Sequence, residues 1–423
     1  MMYSQLTVGK DRGDFTGDTN VAIQAAVDRA ASLGGGTVRI LPGRYAMYDS
    51  LHIRSNVAVI GAGEETVLWK PPSATSPVVY YLGYGHFDVS VEEPDKFPVG
   101  CGVCIRDSRT PGFYATVATV IRKSGKELGL SRMLNADVHP DNGARALSVY
   151  PIISGCNITH ASVQDITIDG NATDNEFIDG CRGGGVYLLQ AHDTKLANVS
   201  VLNYNGDGIS FQQCRNTVAE GCRCVGNTGS GLHPGSGSVG SVMRNCVCGN
   251  NGQNGIFYCL RVAWTLCEDC RFEGNKSHGI SIGHRDCDNV IRSNRIAGNG
   301  GHGVHFRADS LSQTGCRTLL EGNLFHQNCR AGDGAEICFD SSADQVHLSG
   351  NVFEPSGNYA HVIEMLCPQS NLALCGNVLN TVELTPDSMA GDLSGVRFGL
   401  PDAPLAAGPD HMPEDAALHL NGI

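Results

Sequence analysis

Between Gly183 and Asn380 the chain repeats a short phrase: glycine, aliphatic residue, variable residue, apolar residue. It reads Gly185-Val-Tyr-Leu, Gly208-Ile-Ser-Phe, Gly231-Leu-His-Pro, Gly255-Ile-Phe-Tyr, Gly279-Ile-Ser-Ile and Gly303-Val-His-Phe, with glycine spacings of 23, 23, 24, 24 and 24 residues. A fixed period of this length, with strand-like alternation inside each copy, marks a solenoid. Each copy is too short for strands plus a crossover helix. The pattern therefore predicts three short strands and three turns per coil: an all-β, right-handed parallel β-helix.

A second phrase keeps the same time at Cys222, Cys246, Cys270 and Asn294, then loosens through Asn323, Asn351 and Asn377. The pairs Cys222/Cys224 and Cys246/Cys248 offer metal-ligand spacing, because residues two apart share a strand face. Their counterparts in later coils are Cys270/Phe272, Asn294/Ile296, Asn323/Phe325, Asn351/Phe353 and Asn377/Leu379. A position held by Phe, Ile and Leu faces the core, where free cysteine behaves as a small hydrophobe. The eighteen cysteines are thus expected mainly as packing residues with free thiols.

Ahead of the repeat, Ile23, Val27, Ala30 and Leu33 fall at helical spacing, with Thr19 or Asn20 as cap and Gly34-Gly-Gly as stop. Such a helix would cover the open apolar end of the solenoid. The combination of Gly17-Asp-Thr-Asn, Ile23-Gln-Ala-Ala-Val-Asp, Gly34-Gly-Gly-Thr-Val and Pro42-Gly-Arg-Tyr resembles the N-terminal segment of the pectate-lyase-like superfamily of right-handed parallel β-helix proteins. With the coils, the resemblance covers residues 7–70 and about 150–380. It implies a fold shared by lyases, hydrolases, epimerases and phage tailspikes, and hence a carbohydrate-active protein.

From about Pro71 to Tyr150 the period disappears, although Gly100–Arg106 and Ala115–Ile121 are strand-like. The expected organisation is an N-terminal cap with first coils (1–70), an inserted β-rich flap (71–150), the main β-helix (151–380) and an irregular tail (381–423).

Alternation assigns faces. The residue after each glycine points inward, so the residue before it and the second and fourth after it point outward. The outward rows carry His278, His302, His305, Arg307, Asp340 and Glu364 on neighbouring coils. Asp207, His233, Phe257, Arg261, His284 and Arg285 lie on coils nearby and are the expected substrate-binding contacts. Two chemistries suit this set. In a uronate lyase a cation (Arg307) neutralises the sugar carboxylate and acidifies the C5 proton, which a base (His305 or His302) removes. In a glycosidase two carboxylates bracket the bond, and Asp340 and Glu364 are the candidates. Elimination on an acidic poly- or oligosaccharide is the leading expectation. The alternatives are hydrolysis and a non-catalytic glycan-binding solenoid of the tailspike kind.

The phrases Asn205-Gly-Asp207-Gly-Ile and Ser277-His278-Gly-Ile resemble the Asn-Thr-Asp-Gly and Gly-His-Gly motifs of polygalacturonases. The coil after the first reads Ser230-Gly-Leu-His where those enzymes carry an Asp pair, and their Arg-Ile-Lys motif is absent. Both phrases are also ordinary strand starts of this repeat.

No cofactor is required by these chemistries. Calcium at Asp169, Asp174, Glu176 and Asp179 is an alternative, since hard oxygens suit that ion. A net charge of −13 argues against a nucleic-acid partner, and no apolar run reaches membrane-spanning length. Met1-Met-Tyr-Ser-Gln has neither a basic n-region nor an apolar h-region. A cytoplasmic protein is therefore expected, or an extracellular or periplasmic one if a leader has been removed. The pattern carries no information on oligomeric state.

Overall fold

The glycine that opens each phrase is a packing requirement. A Cβ on Gly255 would stand 2.6 Å from the Gly279 carbonyl and 2.9 Å from the Phe272 Cβ across the interior. With that contact relieved, each coil lays down three strands. One coil runs Ile209–Gln212, Val218–Glu220, Arg223–Val225, and the next Leu232–Gly235, Val242–Arg244, Val247–Gly249. Equivalent strands pair in parallel, aligning Ile209 with Leu232, Leu232 with Ile256, Ile256 with Ile280 and Ile280 with Val304. This computed structural model describes residues 4–309, 314–332, 334–355, 361–401 and 403–416.

The aliphatic row is fully buried at Val186, Ile209, Leu232, Ile256, Ile280, Val304, Ile337 and Ile363, each member contributing roughly 1.5–3 kcal/mol. Rings stack along the interior, Phe325 on Phe353 at 4.8 Å and Phe306 on Phe339 at 4.5 Å. Cys222, Cys224, Cys246 and Cys248 are at most 1 % exposed, and all eighteen cysteines are free.

The coils turn at a stacked corner of left-handed residues: Asn198, Gly221, Asn245, Asp269, Ser293, Gly322, Gly350 and Gly376, with φ between 53° and 62°. Asn, Asp and Gly tolerate that region best. Inside the coils two asparagine ladders satisfy buried backbone groups. One runs through Asn227, Asn251, Asn275, Asn299 and Asn328. The other runs through Asn294, Asn323, Asn351 and Asn377. The thiols of the second phrase continue the latter, since the Cys246 amide donates to Cys270 Sγ at 3.4 Å and the Cys270 amide to Asn294 Oδ1 at 2.9 Å.

The N-terminal helix spans Asn20–Ser32, with Thr19 as its cap. Its Ile23, Ala26, Val27 and Ala30 join the same core as Leu51, Val57 and Val59. Residues Thr75–Leu147 contribute six antiparallel strands with a core of their own, including Val89, Phe97, Val103, Ile105, Val120 and Leu128.

Parallel pairing extends beyond the expected limit at residue 380. Met389–Gly391 adds to Ile363–Met365, and Val396–Phe398 to Leu372–Leu374. These last rungs lack the glycine phrase, and Leu384 and Met389 fill the end of the core instead. Farther on, Ala407 packs beside Leu266 and Val290 on the flank.

Candidate functional site

The strands that carry the glycine phrase, with those in register before and after them, form one sheet of eleven strands, from Leu51–His52 to Met389–Gly391. Its outward face carries a continuous row. His52 pairs with Ser154, Ser154 with Tyr187, Tyr187 with Ser210 and Ser210 with His233. Phe257 then aligns with Ser281, Ser281 with His305, His305 with Cys338 and Cys338 with Glu364. Three side-chain clusters rise from this face.

At the far end the rings of His278, His302 and His305 gather with centroids 4.4–5.3 Å apart. His278 Nδ1 accepts the His302 amide at 3.0 Å, and His305 Nε2 stands 3.6 Å from Asp340 Oδ2. Glu364 follows on the next strand. Arg307 does not stand free among them as the neutralising cation of a lyase would. It folds back under Phe257, its Cζ 4.5 Å from the ring centroid. It donates to Ser281 Oγ at 3.0 Å and to the Tyr258 carbonyl at 2.7 Å, and it pairs with the fully buried Asp286 at 3.4 Å. A guanidinium so engaged serves the fold.

Burial, the neighbouring histidines and Arg307 push His278 down to about 3, and burial, His302 and Arg307 push His305 down to about 4. The folded state therefore accepts these rings neutral. The unfolded chain, with histidine near 6.5, binds more protons between those values. Stability is fully present above pH 6.5 and is lost as pH falls toward 4. His278→Gln or His305→Gln is expected to flatten that decline by about 1–2 kcal/mol, after allowance for partial exposure. Denaturant unfolding at pH 7, 5 and 4 measures it, and an unchanged slope would refute the assignment. Asp340, facing His305, is the acidic neighbour to keep in place.

In the middle of the face Asp207, His233 and Cys259 lie on consecutive coils, where Cys181 from the preceding loop meets them. Asp207 Oδ2 accepts from His233 Nδ1 at 2.6 Å, and Asp207 Oδ1 from the Ser230 amide at 2.6 Å. Phe257 packs edge-on to His233 at 5.2 Å. The ligand atoms of Cys181, His233 and Cys259 all lie within 4.8 Å of one another, the one such cluster found among the described residues. The sequence hid it because Cys181 lies outside the repeat. The legible signal was the spacing from Asp207 to His233 to Cys259, 26 residues each time, which is one coil plus two or three residues and so runs diagonally over the face.

At the near end the inserted strands lean over the sheet and close a cleft lined by Asp49, His52, Thr119, Arg132, Arg182 and Tyr187. Asp49 Oδ2 accepts from Thr119 Oγ1 at 2.6 Å and faces His52 Nε2 at 3.3 Å. The Tyr187 hydroxyl donates to the Cys181 carbonyl at 3.0 Å, and burial raises its pKa. Sequence reasoning passed over His52 although Leu51-His-Ile repeats the aliphatic-variable-apolar phrase. The insertion of residues 71–150 hides its register with the later coils.

Other expected contacts are placed elsewhere. Arg261 and Arg285 leave the sheet face and line a flank cavity of about 610 Å³ with Trp264 and Pro413. His284 pairs with Asp309 at 2.7 Å. The expected calcium ligands do not converge. Asp169 pairs with Arg44, and Glu176 with Arg106 and Arg145. Asp179 accepts the Cys181 amide, while Asp174 is exposed.

The family model of the right-handed beta helix region matches residues 135–263 and 263–353, just over half of the chain, and the protein belongs to that family. Solved structures share the fold. The A-module of mannuronan C-5 epimerase AlgE4 from Azotobacter vinelandii superposes with a TM-score of 0.57 at 15% identity, covering 93% of this chain and 100% of that one. ORF18 of Geobacillus virus E2 gives 0.54 at 13%, over 88% and 61%. PfbA, a surface adhesin of Streptococcus pneumoniae, gives 0.52 at 11%, over 88% and 84%. No curated protein sequence matches the chain.

Proposed function

We propose that this protein is a carbohydrate-active enzyme that binds a uronate-containing poly- or oligosaccharide along the outward sheet face and cleaves it by β-elimination in the cleft beneath the inserted strands. The observation that carries the reading is the meeting of the His52–Asp49 pair with Arg132 and Arg182 in one cleft. Arg132 or Arg182 would pair with the sugar carboxylate and stabilise the charge that develops when the C5 proton leaves. His52, with Nε2 held against Asp49, keeps Nδ1 as the base for that proton. The resulting carbanion expels the 4-linked sugar and leaves a C4–C5 double bond. C5 proton removal is also the step that C-5 epimerisation of a uronate requires, and the AlgE4 module is named for that reaction.

A second reading is hydrolysis by Asp340 and Glu364, favoured by Asp340 standing beside His305 just after the strand Ile337–Phe339 and Glu364 lying on the adjoining strand Ile363–Met365. A panel of uronate-containing glycans, followed simultaneously by absorbance of the unsaturated product and by reducing ends, separates the two. Both signals are expected to rise together. Arg132→Ala is expected to lower turnover about 10²–10³-fold, and His52→Ala about 10²–10⁴-fold. Reducing ends without absorbance would replace elimination by hydrolysis. Binding without either signal would leave a glycan-binding solenoid.

A further inference from the structure

We propose that Cys181, His233 and Cys259, backed by Asp207, form a binding site for a divalent transition-metal ion of the zinc class. Two thiolates and one imidazole are the donors such an ion prefers, and three protein ligands leave a fourth position for water or a ligand oxygen. The separations fit: with metal–sulfur bonds of about 2.3 Å and metal–nitrogen bonds of about 2.0 Å, tetrahedral ligand atoms stand roughly 3.5–3.8 Å apart. The three atoms here, all within 4.8 Å of one another, close to that spacing by small side-chain rotations.

The second observation is the state of His233. The residue is 4 % exposed, and its buried Nε2 has no oxygen or nitrogen partner, only the Cys259 thiol beside it. A buried ring nitrogen so weakly satisfied is costly to keep without a ligand. Its Nδ1 is held by Asp207 at 2.6 Å, which fixes the ring and directs the Nε2 lone pair toward the sulfurs. A carboxylate that orients a histidine in this way is the usual outer partner of a metal-bound imidazole.

The backbone is shaped around the pair. A Cβ on Gly180 would fall 1.7 Å from Asp207 Oδ2 and 2.4 Å from His233 Nδ1, so the loop presses directly on them. Asp179 Oδ1 accepts the Cys181 amide at 2.8 Å and bends the chain that presents the thiol. Arg307 donates to the Cys259 carbonyl at 3.2 Å, holding the second thiol's backbone. Two thiolates neutralise a divalent cation, and the Asp207 carboxylate is engaged by His233 Nδ1 and the Ser230 amide.

The test uses the full chain, prepared under reducing conditions, stripped with chelator and titrated with Zn²⁺ against a chromophoric competitor and with Co²⁺ by visible absorption. One equivalent is expected to bind tightly, with cobalt giving tetrahedral d–d bands and thiolate charge transfer. Cys259→Ser and Cys181→Ser, near-isosteric changes, are expected to weaken binding at least about 100-fold. Asp207→Asn is expected to weaken it about 10–100-fold, and Cys316→Ser on the flank to leave it unchanged. Circular dichroism confirms that each variant is folded. Weak or non-stoichiometric binding by the wild type, equal affinity in Cys259→Ser, or a Cys181–Cys259 disulfide in the native protein would each overturn the site.

Discussion

Arg307→Ala is expected to lower the stability of this protein by about 3–5 kcal/mol, the cost of stripping one partner from a buried ion pair. Asp286 is fully buried. Its two oxygens accept the Val262 and Gly283 amides at 2.9 Å each, and Arg307 is its counter-charge. Removing the guanidinium leaves that carboxylate with two amides and no cation, and it also frees the Tyr258 and Cys259 carbonyls. Arg307→Lys is expected to recover only part of the loss, because an ammonium cannot reach Ser281, Tyr258 and Asp286 at once. Arg307→Ala with Asp286→Ala is expected to be less damaging than the sum of the single changes, by about 1–3 kcal/mol. Denaturant unfolding of the wild type, the two single alanine variants, the double variant and Arg307→Lys measures this. A single Arg307→Ala variant within about 0.5 kcal/mol of wild type, the range of ordinary surface changes, would return the residue to the open face.

Arg307 marks where the legibility of this sequence ends. A period of 23–24 residues with internal alternation was enough to predict the coil, the three strands, the buried aliphatic row and the packing role of Cys222, Cys224, Cys246 and Cys248. It also placed Arg307 on an outward-facing position, which is correct for its Cα. Alternation governs where a Cβ points, whereas a long side chain chooses its own course. Here Phe257 and two free carbonyls draw the guanidinium back toward the backbone. The histidine cluster was visible for the opposite reason, since a short ring stays where its Cβ puts it. Cys181 and Arg182 lie in the loop before the first regular coil, and Arg132 lies in the insertion, so no register reached them. Asp169 and Glu176 looked like calcium ligands because sequence shows the carboxylates and not the arginines, from as far away as Arg44, that meet them. The asparagine ladder through Asn227 and Asn251 was also missed. It keeps the same 24-residue step as the glycines, but asparagine in a turn is so common that the repetition carried no separate meaning.

That ladder sets up the other large effect. Asn275→Ala is expected to destabilise the protein by about 3–5 kcal/mol, far more than a turn residue on a surface would. Asn275 is 1 % exposed. Its Oδ1 accepts both the Asn251 amide at 3.1 Å and Asn251 Nδ2 at 2.9 Å, and its Nδ2 donates to the Cys248 carbonyl at 3.1 Å and to Asn299 Oδ1 at 2.9 Å. Alanine leaves the Asn251 amide without its acceptor and strips the Cys248 carbonyl of its side-chain donor. It also takes one of two bonds from Asn251 Nδ2, which keeps the Cys224 carbonyl. Each lost bond in this buried interior costs about 1–3 kcal/mol. Asn275→Asp is expected to fail as well, because it restores the acceptors but removes the donor and buries a charge. Cys246→Ala, at the thiol rung of the other ladder, is expected to cost only about 1–2 kcal/mol, since sulfur is a weak acceptor and the loss is chiefly packing volume. Because each coil rests on its neighbours, the damage should spread locally, with faster amide hydrogen exchange at Asn251 and Asn275 and little change near the N-terminal helix. An Asn275→Ala loss no larger than that of Cys246→Ala would mean that water or backbone shift replaces the rung, and that the ladder is a consequence of the coil geometry and not one of its supports.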